Sequence, residues 1–121
     1  MTNLSDREWT VLDALWRTGG AALGELTAAL RGETGWSRST VLTYLTRMEA
    51  KGLVAIDSSG YPRRYRAALD RDACQAQARK NFLQQVYQGA TGDLVAAFLK
   101  EKPIPARERD ELRRLLDEME V

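Results

Sequence analysis

The 121-residue chain contains no histidine, one cysteine and three prolines. The missing histidine removes the commonest metal ligand and the commonest general base of enzymes. The single cysteine, Cys74, excludes a disulfide within the chain and a thiolate-rich metal cage. A glycine-rich phosphate loop is also missing, because Gly19-Gly20 lacks the residues that must follow in such a loop. These absences argue against an enzyme and predict neither a metal site nor a cofactor.

Long apolar runs are missing as well. No stretch of about eighteen apolar residues occurs, so no membrane insertion is expected. The segment MTNLSDREW lacks the basic and apolar parts of a secretory signal, which together with the single cysteine predicts a cytoplasmic protein. Cys74 has two interpretations, an inert thiol or a redox switch with Arg71 as its basic neighbour.

Charge is distributed unevenly along the chain. The net charge is only +1, but residues 34–69 carry six basic side chains against Glu49 and Asp57. A basic section within an otherwise balanced chain favours local contact with a polyanion such as DNA. From charge alone, a solvated charged face is the alternative.

Capping signals and apolar spacing predict the first helices. Ser5 and Glu8 form a capping box, and Trp9, Leu12 and Trp16 lie at helical spacing on one face of a helix that Gly19-Gly20 ends. A second helix is expected over about 23–31, where the segment RGETG breaks it.

The third helix begins after an N-cap at Ser37 and is expected to run to about Lys51. Its apolar residues Val41, Leu45 and Met48 define the buried face. Strand-like LVAI and YPRRYRA then flank the turn SSG, which predicts a two-stranded hairpin with an arginine-rich second strand. Three helices followed by a β-hairpin is the order of a winged helix-turn-helix, assigned here to residues 1–70.

Residues 71–121 are expected to form three further helices. Asp70 caps the first, which ends at Gly89, Thr91 caps a short second helix, and the last covers about 106–119. Their apolar residues are too few to close a core, so they are expected to pair with a second copy of the chain. The alternative is a monomer whose tail packs on its own winged helix. The predicted dimerisation residues are Leu83, Val86, Tyr87, Leu94, Val95, Phe98, Leu112, Leu115 and Leu116.

Polar side chains of the third helix and the hairpin form the candidate DNA-binding site. Hydroxyls at the helix start are suited to phosphate, arginine and threonine can read base edges, and the later cations can hold the DNA backbone. The hairpin arginines are expected to meet phosphate or the minor groove. The predicted residues are Ser37, Arg38, Ser39, Thr40, Thr43, Tyr44, Arg47, Lys51, Arg63, Arg64 and Arg66.

The run W-S-x-x-T-V-x-T-x-L-x-R, followed by Lys51-Gly52-Leu53, resembles the penicillinase-repressor family (BlaI/MecI/CopY). The segments LSDREWTVLDALW, GYPRRYRAAL and NFLQQVYQGATGDLVAAFL are similar to its first helix, wing and dimerisation region, so the resemblance covers nearly the whole chain. It implies a homodimeric repressor whose winged-helix domains bind two halves of a palindromic operator. The three C-terminal helices would interlock between protomers.

The resemblance also implies a mode of induction. In the β-lactam branch of the family, a membrane sensor peptidase leads to cleavage of an Asn–Phe bond in the short helix. The matching bond here is Ala97–Phe98, where alanine replaces the asparagine. The copper branch uses C-terminal Cys-x-Cys pairs, which this sequence does not contain.

The leading prediction is therefore a sequence-specific, DNA-binding transcriptional repressor that controls β-lactam resistance or a related stress response. A winged helix that binds protein instead of nucleic acid is the alternative. An enzyme with a carboxylate-only site is the third possibility, but no paired carboxylates occur outside the charged face of the last helix.

Overall fold

The computed structural model describes residues 3–119, which form six helices and three short strands. The helices are α1 (Asp6–Thr18), α2 (Leu23–Thr34), α3 (Arg38–Ala50), α4 (Arg71–Tyr87), α5 (Thr91–Glu101) and α6 (Ala106–Glu118). The strands are β1 (Ala21–Ala22), β2 (Val54–Asp57) and β3 (Arg64–Ala67). The predicted fold, mostly helical with a small β wing, is confirmed.

The chain divides into two compact units between Ala78 and Arg79, within α4. The division into domains 1–70 and 71–121 stays a prediction. Residues 1, 2, 120 and 121 of these ranges lie outside the described residues. Every helix within residues 3–119 is too short or too polar to span a bilayer.

The first unit has one apolar core, to which α1, α2, α3 and the sheet all contribute. Val11, Leu12 and Leu15 of α1 are buried in it. Of the residues predicted to share one face of α1, Leu12 is buried, Trp16 is half-buried and packs against the core, and Trp9 is half-buried with its ring centroid 6.1 Å from that of Trp16. An indole ring is wide enough to cover the edge of a core while its N–H group stays close to the surface. Trp16 does this, since its Nε1 donates a hydrogen bond of 3.0 Å to the carbonyl oxygen of Leu69.

The ends of α1 and α2 follow local chemistry. The capping box of α1 is confirmed, with Glu8 N donating to Ser5 Oγ at 3.2 Å and Ser5 N donating to Glu8 Oε1 at 2.9 Å. The predicted end of α2 near residue 31 was wrong, because RGET continues the helix to Thr34. Gly35 stops it in a left-handed conformation (φ 67°), with its N–H donating to Arg31 O at 2.9 Å.

The predicted hairpin is confirmed and belongs to a three-stranded antiparallel sheet of order β1-β3-β2. Ile56 of β2 and Ala21 of β1 both lie opposite Tyr65 of β3. Strand β1 was not predicted, because a two-residue strand is too short to show alternation. The sheet fixes the wing against the start of α2.

The second unit contains the end of α4 and helices α5 and α6. Asp70 caps α4 as predicted, since Ala73 N donates to its Oδ2 at 3.0 Å. The predicted cap at Thr91 was wrong: Thr91 is the first residue of α5, and Ala90 precedes it with no side-chain capping bond. No residue of α5, and none of α6 within the described residues, is buried.

Candidate nucleic-acid interface

Helix α3 is anchored on one side and open on the other. Val41, Leu45 and Met48 are buried as predicted. Ser37 caps the helix, accepting a hydrogen bond of 3.2 Å from Thr40 N. Its hydroxyl oxygen also lies 3.1 Å from both Ser39 Oγ and Thr40 Oγ1, so three hydroxyls cluster at the helix start.

The outward side of α3 carries small polar side chains and one cation. Ser39, Thr43 and Arg47 are exposed, and Thr40 is half-exposed. The hydroxyl of Thr43 donates to Ser39 O at 2.9 Å, so towards solvent it offers a methyl group and an acceptor oxygen. Thr46 is exposed on the same side and was missed, although its place three residues after Thr43 on a helix could have revealed it.

Tyr44 lies on the flank of α3 that faces α1. Its ring stacks on Trp36 with a centroid distance of 4.7 Å, and its hydroxyl accepts a hydrogen bond of 3.0 Å from Arg7 Nη1. Tyr44 is half-buried and packs against the core. This arrangement links α3 to α1 and places the Tyr44 side chain away from the outward Thr43.

Five of the six basic side chains predicted to bind DNA fall into two groups. The side chains of Arg38, Arg47 and Arg63 form no hydrogen bond or ion pair with another residue within 3–119. Lys51 and Arg64 are already engaged within the first unit. Lys51 Nζ pairs with Glu8 Oε2 at 2.9 Å. Arg64 donates through Nη2 to Gly20 O at 2.9 Å and lies 3.4 Å from Glu25 Oε1 through Nη1.

Arg66, the remaining basic residue of the predicted site, is exposed on β3. Its charge acts on Asp57, whose pKa is lowered first by hydrogen bonds from Ser59 and then by the charges of Arg66 and Arg64. The wing thus presents three exposed arginines, of which Arg64 is hydrogen-bonded to Gly20 O.

The Glu8 carboxylate balances two opposing effects. Burial acts to raise the pKa of Glu8, but the hydrogen bond and charge of Lys51 and the N–H of Ser5 outweigh it, so the pKa is below its usual value of 4.5. One carboxylate therefore caps α1 and ties it to the end of α3. This ion pair helps fix the orientation of the candidate recognition helix.

The predicted dimerisation residues lie on helices with open apolar faces. Val86, Phe98, Leu115 and Leu116 are more than half exposed, and Phe82, which was not predicted, is 47% exposed. Leu83, Tyr87 and Leu94 are half-buried, Val95 is 40% exposed and Leu112 is 36% exposed. The Ala97–Phe98 bond lies inside α5, with Ala97 half-buried.

Cys74 and the acidic residues form no candidate metal site within residues 3–119. Cys74 is buried, and burial, followed by the charge of Asp70, raises the pKa of its thiol. A buried thiol of raised pKa is a poor nucleophile, which favours the inert interpretation. No group of three or more cysteine and acidic side chains in this part of the chain is placed to hold a metal ion.

The family model described as penicillinase repressor matches residues 4–118. The chain belongs to the penicillinase repressor family. The methicillin resistance regulatory protein MecI of Mammaliicoccus sciuri is 25% identical over 114 residues, 94% of this chain and 93% of its own length. The transcriptional regulator BlaI of Mycobacterium tuberculosis is 31% identical over 122 residues, all of this chain and 88% of its own length.

A solved structure of Bacillus licheniformis BlaI, in its monomeric form in complex with the blaP half-operator, matches 59% of this chain and 87% of that one. Its TM-score is 0.53 and its sequence identity 25%. The predicted penicillinase-repressor family and winged helix are confirmed. Members of this family are transcriptional regulators, so the prediction that the chain is not an enzyme is confirmed too.

Proposed function

We propose that this penicillinase repressor family member is a cytoplasmic, sequence-specific DNA-binding repressor that binds a palindromic operator as a homodimer. In this proposal it controls β-lactam resistance or a related stress response. The supporting observation is the outward side of α3, where Thr43, Thr46 and Arg47 are exposed instead of being covered by the core of their own unit. The half-operator bound by the related BlaI gives this surface a partner of the right chemistry.

Each group on the outward side of α3 suits a different part of a duplex. The hydroxyl cluster of Ser37, Ser39 and Thr40 stands at the helix N-terminus, where N–H groups and the helix dipole favour phosphate. Thr43 offers a methyl group that can meet a thymine methyl in the major groove. Arg47 has an uncommitted guanidinium further along the same side, which suits the DNA backbone.

The test uses a duplex that the purified protein selects from a randomised pool. Replacing Thr40 and Thr43 by alanine should weaken binding to this duplex about tenfold to a hundredfold, because a phosphate contact of Thr40 and a base-edge contact of Thr43 are lost. Thr10→Ala is the matched control, since Thr10 bonds the carbonyl of Asp6 in the same way that Thr43 bonds that of Ser39. Fluorescence anisotropy measures affinity, and circular dichroism checks helicity.

Two results would refute the assignment. Unchanged affinity of the Thr40/Thr43 double variant would remove both residues from the DNA-binding surface. Failure of the wild-type protein to select any duplex would refute DNA binding altogether and favour a winged helix that binds protein.

Binding should also weaken steeply between about 50 and 200 mM salt if several phosphates are neutralised.

A homodimer would cover the open apolar faces of the second unit. Leu115 and Leu116 on α6 and Phe98 on α5 are all at least 60% exposed. Leu116→Asp should yield a monomer in analytical ultracentrifugation, because it places a charge on this apolar face. Arg114→Asp, a charge change on the other side of α6, should leave the dimer intact. A wild-type monomer at micromolar concentration would contradict the dimer proposal.

Induction through a membrane sensor peptidase pathway would require the Ala97–Phe98 bond to become accessible. That bond lies in the middle of α5, so the helix must open locally before a protease can hold the chain extended. Phe98 is 63% exposed and Lys100 follows in the same helix. Mass spectrometry of the protein from induced cells would reveal cleavage at this bond, and intact protein throughout induction would rule it out.

A further inference from the structure

A groove of about 620 Å³ lies in the first unit between α3 and the wing. Arg38 and Leu42 of α3 line it together with the wing residues Tyr61, Pro62 and Arg63. The first turn of α2 and parts of β1 and β3 complete the lining. The two elements that a winged helix presents to DNA therefore leave a space between them that no described residue fills.

The charge of this groove is positive. Arg38 and Arg63 line it and have no ion-pair partner within residues 3–119. The guanidinium of Arg38 reaches over the start of α2, with Nη1 only 3.6 Å from where a Cβ on Gly24 would stand. Glu25 is the one acidic lining residue, and its carboxylate already accepts from Ala22 N at 2.9 Å and pairs with Arg64.

Tyr61 stands beside these cations as the most exposed of the large hydrophobic side chains in the described part of the chain. Its relative exposure is 101%, against at most 68% for the others, and its ring lies against no other aromatic ring of residues 3–119. A tyrosine offers a flat apolar face and a hydroxyl that can donate a hydrogen bond. In a DNA strand, the deoxyribose presents an apolar ring edge that matches the tyrosine face, and the neighbouring phosphate presents an anionic acceptor that matches the hydroxyl.

We propose that the groove holds one sugar–phosphate strand, with the Tyr61 ring packed against a deoxyribose and Arg38 and Arg63 flanking its phosphates. The inference rests on the proposed DNA binding. With α3 in a major groove, a wing on the same side of the protein must reach across one strand, and that strand must pass between them. Arg38 then positions the duplex instead of reading a guanine, which changes the role predicted from the sequence.

The experiment compares the selected duplex with a scrambled duplex of the same composition, by fluorescence anisotropy at several salt concentrations. Tyr61→Ala should weaken binding to both by about the same factor, roughly tenfold, because the backbone carries no base sequence. The salt dependence should keep its slope, since no charge is removed. Tyr61→Phe should stay within about twofold of wild type, because the ring makes most of the contact. Ser58→Ala is the control for a change in the wing that lies outside the groove.

Arg38→Ala completes the test. It should lower affinity for both duplexes equally and flatten the salt dependence by about one unit of slope. A loss confined to the selected duplex would show that Arg38 reads a base and would overturn its place in the groove. Wild-type affinity of Tyr61→Ala, or a Tyr61→Phe variant as weak as Tyr61→Ala, would overturn the packing of the ring. If the wild-type protein selects no duplex, the proposed DNA binding itself fails. If it selects a duplex and Tyr61→Ala binds that duplex like wild type, only the proposed role of the groove fails.

Discussion

Removing the Lys51 ammonium should reduce stability far more than its position on an exposed helix end implies. The Lys51 side chain is 59% exposed, but its partner Glu8 is only 10% exposed and is fixed by the capping box. In Lys51→Ala the carboxylate keeps its burial and loses the cation that compensates for it. Exposed pairs contribute about 0.2–1 kcal/mol, whereas breaking a fully buried pair costs about 3–5 kcal/mol. This half-buried pair lies between, and we expect a loss of about 1–2 kcal/mol in the free energy of unfolding.

The loss should depend on pH. The folded-state pKa of Glu8 is lowered from 4.5, so its contribution is present above that value and lost as the pH falls through the folded pKa. In Lys51→Ala burial remains and should raise the pKa of Glu8. The difference between wild type and Lys51→Ala is therefore expected to be full near neutral pH, to shrink as the pH falls through the raised pKa of Glu8 in the variant, and to vanish below the lowered pKa of Glu8 in the wild type.

Urea denaturation followed by tryptophan fluorescence at several pH values measures this difference. Arg17→Ala is the matched control, because Arg17 pairs at 3.0 and 3.3 Å with Asp13 and Glu33, which are both about half exposed. It should cost no more than about 0.5–1 kcal/mol. Equal losses in the two variants, or a Lys51→Ala loss that is the same at all pH values, would refute the reasoning from Glu8 burial.

One further pair of variants separates DNA binding from stability, and a second pair tests backbone strain at two glycines. Arg63→Ala should flatten the salt dependence of DNA affinity by about one unit of slope and leave the urea midpoint unchanged. Arg64→Ala should instead cost about 1 kcal/mol of stability, because Gly20 O loses its hydrogen bond. The reverse result would contradict the assignment of Arg63 to DNA binding and of Arg64 to the fold. Gly32→Ala should stabilise the protein by about 0.5–1 kcal/mol, because it lies within α2 with open space around it. Gly35→Ala should cost about 1 kcal/mol, because a side chain is strained at the φ of 67° of this residue. Equal urea midpoints for Gly32→Ala and Gly35→Ala would argue against strain at position 35.

Much of the fold could be predicted from the sequence because its signals are local. The Ser5–Glu8 capping box, the Ser37 cap and the spacing of Val41, Leu45 and Met48 each depend on residues within one or two helical turns. The end of α2 was predicted too early because one local signal was overruled by another. Gly32 suggested a helix end, but a helix tolerates one glycine, and Gly35 provided the left-handed residue that ended α2.

The family and the cationic character of residues 34–69 could likewise be read from the sequence, since both depend on residue identity and order. Which cations are free could not be read from it. Lys51 pairs with a residue 43 positions away and Arg64 with one 44 positions away, and no periodicity reports such contacts. Only the tertiary structure, by packing α1 against α3 and β1 against β3, decided that Lys51 and Arg64 support the fold while Arg38, Arg47 and Arg63 remain available to a partner.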